Sequence, residues 1–281
     1  MTMTSKNTTV GVIGFGFVGK AVASAFPNTF AVDPILNTTI PQLLERNPEV
    51  VFVCVPTPMG ENGVADTSIV ESVFLQLKGF KGIPVLKSTV VPSVVQKLEK
   101  MHPRFVYNPE FLTEANAVTD FLNPKMHVFG GNKKDTKKLA KFYDEYSQCL
   151  PAKEVHFVTP TEAALIKYGV NSFLALKVMF MNQWYDLCES VGADYRSVAD
   201  GMGTDPRITK AHTMVPGPDG RRGTAGACFA KDIPAIVRES IVNGCELSIL
   251  RESWNKNCDI RSSYGELLPR EIAQHISFTK I

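Results

Sequence analysis

The run V-G-V-I-G-F-G-F-V-G, residues 10–19, limits the possible folds more than any other stretch of the chain. An apolar segment enters Gly14-x-Gly16-x-x-Gly19, which reads as a strand, a tight turn and a helix start whose N–H groups suit a pyrophosphate. Three glycines alone are weak evidence, because ordinary turns use them too. The context strengthens the reading: Asp33 closes the second expected strand, about 20 residues after the first glycine, where a carboxylate can hold both ribose hydroxyls. That carboxylate would repel a 2′-phosphate, so NAD is expected rather than NADP. Gly14, Gly16, Phe17, Val18, Gly19 and Asp33 are the expected cofactor contacts at this turn.

From there the first half alternates strand and helix patterns, the signature of an α/β, doubly wound parallel sheet of Rossmann type. Strands are expected at 9–13, 29–33, 50–55, 84–87, 105–107 and 127–130. Ligands of such sheets bind at the carboxyl ends of the strands, which here carry V-P-T-P and K-S-T-V. Pro56, Thr57, Ser88 and Thr89 are therefore expected near cofactor or substrate, although each hydroxyl taken singly also fits a turn or cap. After Pro160 the pattern changes to one long helix, 161–191, with Thr159 or Thr161 as cap. The expected domains are thus 1–158, binding NAD, and 159–281, mostly helical. A helix of about 30 residues is about 45 Å long, and this one is apolar on more than one face, so a homodimer through it is expected. A Gly/Pro-rich loop spans 201–226, a second helical stretch 229–254, and the tail is expected to be partly helical.

Composition narrows the function. The 281 residues, 44% of them hydrophobic, suffice for two modest cores. A formal net charge of +2 gives no general attraction for nucleic acid or membrane, and the lysines at 133, 134, 137, 138 and 141 fall at the spacing of a solvated helix face. No apolar run is read as the roughly 20 residues of a membrane span, and no secretion signal opens the chain, so a cytoplasmic protein is expected. Six scattered cysteines lack zinc-site spacing and disulfide density, and no metal is expected.

One cysteine stands apart. The segment 223–232, G-T-A-G-A-C-F-A-K-D, sets the Cys228 thiol one helical turn before the Asp232 carboxylate. A glycine-rich approach to a helix start favours a thiolate nucleophile. A buried core thiol is the commoner fate of cysteine, and it is the reading kept for the other five. A dinucleotide with a covalent nucleophile points to oxidation through a thioester. Lys167 and Asn171 lie four apart on the long helix and so share a face; on spacing alone Lys167 reads as a solvated surface charge. Glu110 and Glu114 are also four apart, a spacing ordinary for a charged face.

The strings V-P-T-P, K-S-T-V, N-P-E-F-L-T-E then D-F-L-N-P, I-K-Y-G-V-N-S-F-L-A-L-K, D-P-R-I and C-F-A-K-D, in that order, resemble the UDP-glucose/GDP-mannose dehydrogenase family over about residues 8–240. The resemblance implies two successive NAD-dependent oxidations of a nucleotide-sugar C6 alcohol, with a UDP-sugar as the expected substrate and a carboxylate as product. It makes Cys228 the nucleophile, Lys167 and Asn171 the oxyanion donors, and Asp232 the acid/base carboxylate working with the lysine and a water. Glu114 with Thr89 would position the hydrolytic water, with Glu114 also beside the cofactor. Glu110, Phe111, Leu112, Lys167, Asn171, Arg207 and Lys231 would meet the substrate, Arg207 reaching it from a neighbouring subunit. Arg221 and Arg222 suit an anionic group or a solvated loop equally. Thr224, Ala225 and Ala230 stand where the family has Phe, Gly and Pro. Relatives also continue into a second nucleotide-binding domain, so a shortened form is expected. Two alternatives remain: a two-domain dehydrogenase of a smaller alcohol or 3-hydroxy acid, and a non-catalytic NAD-binding remnant.

Overall fold

In the computed structural model, which describes residues 9–226 and 228–281, the opening apolar run forms β1 (Val10–Ile13) and leads through the glycine turn into α1 (Phe17–Ala25). There follow β2 (Thr29–Val32), α2 (Ile40–Leu44), β3 (Val50–Val53), α3 (Ser68–Gln76), β4 (Ile83–Leu86), α4 (Pro92–Met101), β5 (Val106–Tyr107), α5 (Ala117–Leu122), β6 (Met126–Gly131), α6 (Lys133–Tyr146) and β7 (Glu154–Val158). The strands form one sheet in the order β2-β1-β3-β4-β5-β6-β7. All neighbours are parallel except β5 and β6. Every residue of β1, β3 and β4 is buried, as a sheet covered by helices on both faces requires.

Period-two alternation divides these side chains between two cores. On one face Val51, Val53 and Leu86 pack with Leu43 of α2, Phe74 of α3 and Leu98 of α4. On the other, Val50, Phe52 and Val85 pack with Val22 of α1, Phe121 of α5 and Phe142 of α6. Phe26 centres the second core, its ring 5.3 Å from Phe52, 5.8 Å from Phe142 and 5.4 Å from Tyr143.

The long helix is α7 (Pro160–Val191). Thr159 caps it in a reciprocal box: its hydroxyl accepts from Glu162 N–H at 3.2 Å and its own N–H donates to Glu162 Oε2 at 2.7 Å. By length and composition α7 could cross a membrane, contrary to the expectation that no run approached a span. Its Ala, Leu, Val, Met and Phe raise its hydropathy, but its polar groups Lys167, Asn171, Lys177 and Asn182 bond inside the fold.

The chain folds as two compact units, one holding the residues up to Thr57 with Thr67–Lys167, the other Pro58–Asp66 with Tyr168–Ile281. The units divide inside α7, after Lys167, and a short excursion from the first half belongs to the second unit. There the Arg238 guanidinium donates to Asn62 O at 3.0 Å, and Gly63 lies so close to Pro234 that a Cβ would meet its ring at 2.7 Å. The second unit continues with α8 (Tyr195–Met202), α9 (Phe229–Val242), α10 (Ser248–Ser262) and α11 (Pro269–Ala273). The expected single helix over 229–254 is two. Gly244 takes φ 70° and donates to Ile241 O at 3.0 Å, and Cys245 N–H reaches Ser240 O at 2.9 Å, a Schellman stop.

Candidate active site

In the first unit each glycine of the turn has its own reason. Gly14 takes φ 90°, and a Cβ there would meet Cys54 O at 2.7 Å. A Cβ on Gly19 would lie 1.9 Å from Gly14 O, so the helix can seat this close only without one. Gly16 has nothing within 4 Å of its Cβ position, which leaves its backbone open to a ligand at the start of α1. The Asp33 carboxylate is fixed over the same turn by Phe15 N–H at 2.7 Å and Ile35 N–H at 3.0 Å. Open backbone at a helix N-terminus beside a fixed carboxylate fits a dinucleotide, the glycines lying against pyrophosphate and Asp33 against ribose. Thr57 and Ser88 tie neighbouring strand ends together, Thr57 Oγ1 donating to Thr89 O at 3.0 Å and Ser88 Oγ to Val55 O at 2.6 Å. Thr89 is buried.

The same unit brings Lys167 and Glu110 together. Lys167 Nζ donates to Glu110 O at 2.7 Å and to its Oε1 at 3.0 Å, with the Phe111 ring 5.4 Å away. Leu112 N–H donates to the other carboxylate oxygen at 2.7 Å. Burial pushes the Glu110 pKa up, but the Lys167 ammonium and the Leu112 N–H outweigh it and hold the carboxyl below its usual range. Each carboxylate oxygen of Glu110 is thus bonded within the unit, one of them to Lys167. Nor do Glu110 and Glu114 share a helix face: 108–113 has no regular secondary structure, and Glu114 opens an exposed 3₁₀ turn.

Sequence reasoning passed over Lys87, whose neighbours Ser88 and Thr89 it singled out. This lysine is 3% exposed, donates to Asn108 Oδ1 at 3.0 Å, and lies 5.3 Å from the Phe121 ring. Burial lowers its pKa to about 8 and raises that of Cys54, its electrostatic neighbour, to about 12. The K-S-T string contained the signal, since an apolar strand running into lysine carries the ammonium toward the interior.

In the second unit Cys228 is half-buried at the N-cap of α9, and its carbonyl accepts from Asp232 N–H at 2.9 Å. Asp232 is 1% exposed; Asn171 Nδ2 donates to its Oδ2 at 2.7 Å and Lys231 Nζ to its Oδ1 at 2.5 Å. Lys231, expected at the substrate, is therefore buried and spent on Asp232. Arg207 lies apart on an exposed turn, in a fork to Asp205 at 2.6 and 3.0 Å, and lines a cavity of about 300 Å³ with Phe173, Lys177 and Ile208. The two loop arginines are half-buried and paired: Arg222 with Asp186 at 2.7 Å, while Arg221 donates to Glu266 O at 2.5 Å. Among the described residues no cluster of His, Cys, Asp or Glu is placed to hold a metal.

Residues 35–147 match the NAD binding domain of the UDP-glucose/GDP-mannose dehydrogenase family, and 161–258 match its central domain. The UDP-glucose 6-dehydrogenase of Rickettsia bellii is 39% identical over 202 residues, 68% of this chain and 45% of that protein. The chain spans less than half the length of the curated relatives it matches. A UDP-glucose dehydrogenase structure from Pyrobaculum islandicum superposes with a TM-score of 0.72 at 25% identity, covering 95% of this chain and 73% of that one. The 3-hydroxyisobutyrate dehydrogenase of Mycobacterium tuberculosis shares the fold, with a TM-score of 0.71 at 14% identity over 92% and 96% of the two chains.

Proposed function

The chain belongs to the UDP-glucose/GDP-mannose dehydrogenase family, and on that premise we propose that it takes part in the four-electron, NAD-dependent oxidation of a nucleotide-sugar C6 alcohol to the carboxylate, with a UDP-sugar as substrate. The observation that carries this reading is the pairing of a half-buried thiol at a helix start, Cys228, with a buried carboxylate one turn on, Asp232, itself held by Asn171. A dehydrogenase that removes only two electrons has no use for that thiol. The 3-hydroxyisobutyrate dehydrogenase likeness supports the fold alone.

The overall balance is one alcohol, two NAD⁺ and one water giving one carboxylate, two NADH and three protons. NAD held at Gly14, Gly16, Gly19 and Asp33 supplies the two-electron acceptor for each oxidation. Asp232, through a water, takes the alcohol proton, and the Lys167 ammonium donates to the oxygen as its charge develops. Cys228 Sγ bonds to the aldehyde carbon as the C=O π bond opens, and the thiol proton passes through solvent to the carbonyl oxygen, which becomes hydroxyl. Oxidation of this thiohemiacetal leaves a thioester. Water positioned by Glu114 and Thr89 attacks the thioester carbon, breaking the C–S bond and returning the thiol. Asn171 donates to the oxyanion of each tetrahedral state. Phe111 and Leu112 would line the sugar site, Arg207 would reach it from a second subunit, and the chain would act as a homodimer in the cytoplasm.

Cys228→Ala tests the assignment. The variant should bind NAD as the wild type does and form no carboxylate, since the aldehyde then has no sulfur to bond. Carboxylate production at the wild-type rate by this variant removes the nucleophile role.

A further inference from the structure

The segment from 203 to 226 is an irregular run of turns and bends after α8, so its backbone polar groups have no ladder to join and must be paired some other way. Near its end three side chains do this. Asn257 of α10, 1% exposed, accepts from Thr224 N–H through Oδ1 at 2.6 Å and donates through Nδ2 to Thr224 O at 3.0 Å. One amide thus serves as both donor and acceptor, as a neighbouring strand would. Thr224 is 2% exposed, and its hydroxyl donates to Ala175 O at 3.3 Å. Gly223 N–H donates to Asn182 Oδ1 at 3.0 Å, and a Cβ on Gly223 would meet Asn257 Oδ1 at 2.6 Å.

The third anchor is ionic. The buried Arg261 guanidinium reaches Asp219 of the loop at 2.7 Å and Glu271 of α11 at 2.6 Å. The other Glu271 oxygen accepts from Leu268 N–H at 2.7 Å. A buried guanidinium held between two carboxylates cannot lose either cheaply, so loop and tail are bound to one position. Arg261 and Glu271 lie beyond residue 258, where the family match ends.

We propose that Asn257, Arg261 and Glu271 are positioning residues that fix the loop before Cys228 and thereby set where its thiol stands. The lever is short. Cys228 follows Thr224 by four residues, at most about 14 Å of extended chain. Its own carbonyl is fixed to Asp232 N–H on the far side. The thiol therefore sits between the Asn257 anchor and the first turn of α9. Residues 259–281 become part of the working site by this route, although none is assigned to touch substrate. The inference rests on the reading of Cys228 as nucleophile.

Thiol labelling of the full chain tests it without substrate or NAD. Iodoacetamide rates are read peptide by peptide in Asn257→Ala and in Asp219→Ala, which releases the loop from Arg261 and leaves the Arg261–Glu271 pair. The exposed Cys245 is the internal reference, and the buried Cys258 reports unfolding. In both variants Cys228 should label at least about fivefold faster relative to Cys245, with Cys258 as protected as in the wild type. If Asn257→Ala exposes Cys258, Asp219→Ala alone decides. An unchanged Cys228 to Cys245 ratio in a variant with Cys258 protected, or exposure of Cys258 in both, overturns the proposal. Faster labelling with no dehydrogenase activity leaves the clamp standing and removes the enzymatic reading instead.

Discussion

Lys87 is a charge carried into hydrocarbon, and its consequences can be followed from one atom. Its ammonium shares Asn108 Oδ1 with the Tyr143 hydroxyl, at 3.0 and 2.9 Å, while Asn108 Nδ2 donates to Val128 O at 2.9 Å. Burial lowers the lysine from 10.5 to about 8. Between those values the unfolded chain keeps a proton that the folded chain has released, so unfolding takes up protons and this group's contribution to stability rises with pH. Lys87→Met removes that dependence and leaves Asn108 Oδ1 bonded to Tyr143. The stability difference between variant and wild type should accordingly move in favour of the wild type by at most about 3 kcal/mol from pH 7.5 to 10.5, read from urea midpoints. A difference that stays flat over this range contradicts the buried, depressed lysine. Cys54, raised to about 12, loses stability above pH 9 in both proteins and cancels in the comparison.

Among the elements, those with a strong period were legible in the sequence. The buried runs of β1, β3 and β4, the glycine turn and the Thr159 cap stand within a residue or two of where patterning puts them, because burial and capping act locally. What escaped depends on partners distant in the chain. β7, E-V-H-F-V, is an edge strand whose residues are mostly exposed, and five residues of alternation beside the helix cap were too short to stand out. The Asn243-Gly244 stop was written in the sequence but hidden by apolar residues on both sides. Of the proposed reaction groups, Cys228 was marked by its glycine-rich approach and Lys167 and Asp232 by the family resemblance, whereas the pairings Lys167–Glu110, 57 residues apart, and Asn171–Asp232, 61 apart, required the fold. Helix α7 carries the element-scale prediction. Phe173, Phe180, Trp184, Leu187 and Val191 are all exposed on it, at steps of seven, four, three and four. They form one apolar stripe, beside a groove of about 580 Å³ lined by Leu176, Phe180 and Ile249. Light scattering should give twice the 30.9 kDa chain mass, and Phe180→Glu with Trp184→Glu should halve it. A wild-type monomer at micromolar concentration contradicts the proposed homodimer.

At the scale of the whole molecule, two units divide the chemistry. The first holds the dinucleotide turn, Asp33 and the Lys167–Glu110 pair; the second holds Cys228, Asp232 and Asn171. The proposed passage of an alcohol to a carboxylate needs a two-electron acceptor twice and a sulfur to hold the aldehyde between. The NAD binding domain and the central domain of the family are each matched within the chain, so the test uses the chain as a whole. Given UDP-glucose and excess NAD⁺, NADH absorbance and product mass together count electrons per product. The account predicts two NADH for each uronate, with no aldehyde released. One NADH for each product molecule, or oxidation of a small hydroxy acid in place of the nucleotide sugar, contradicts it.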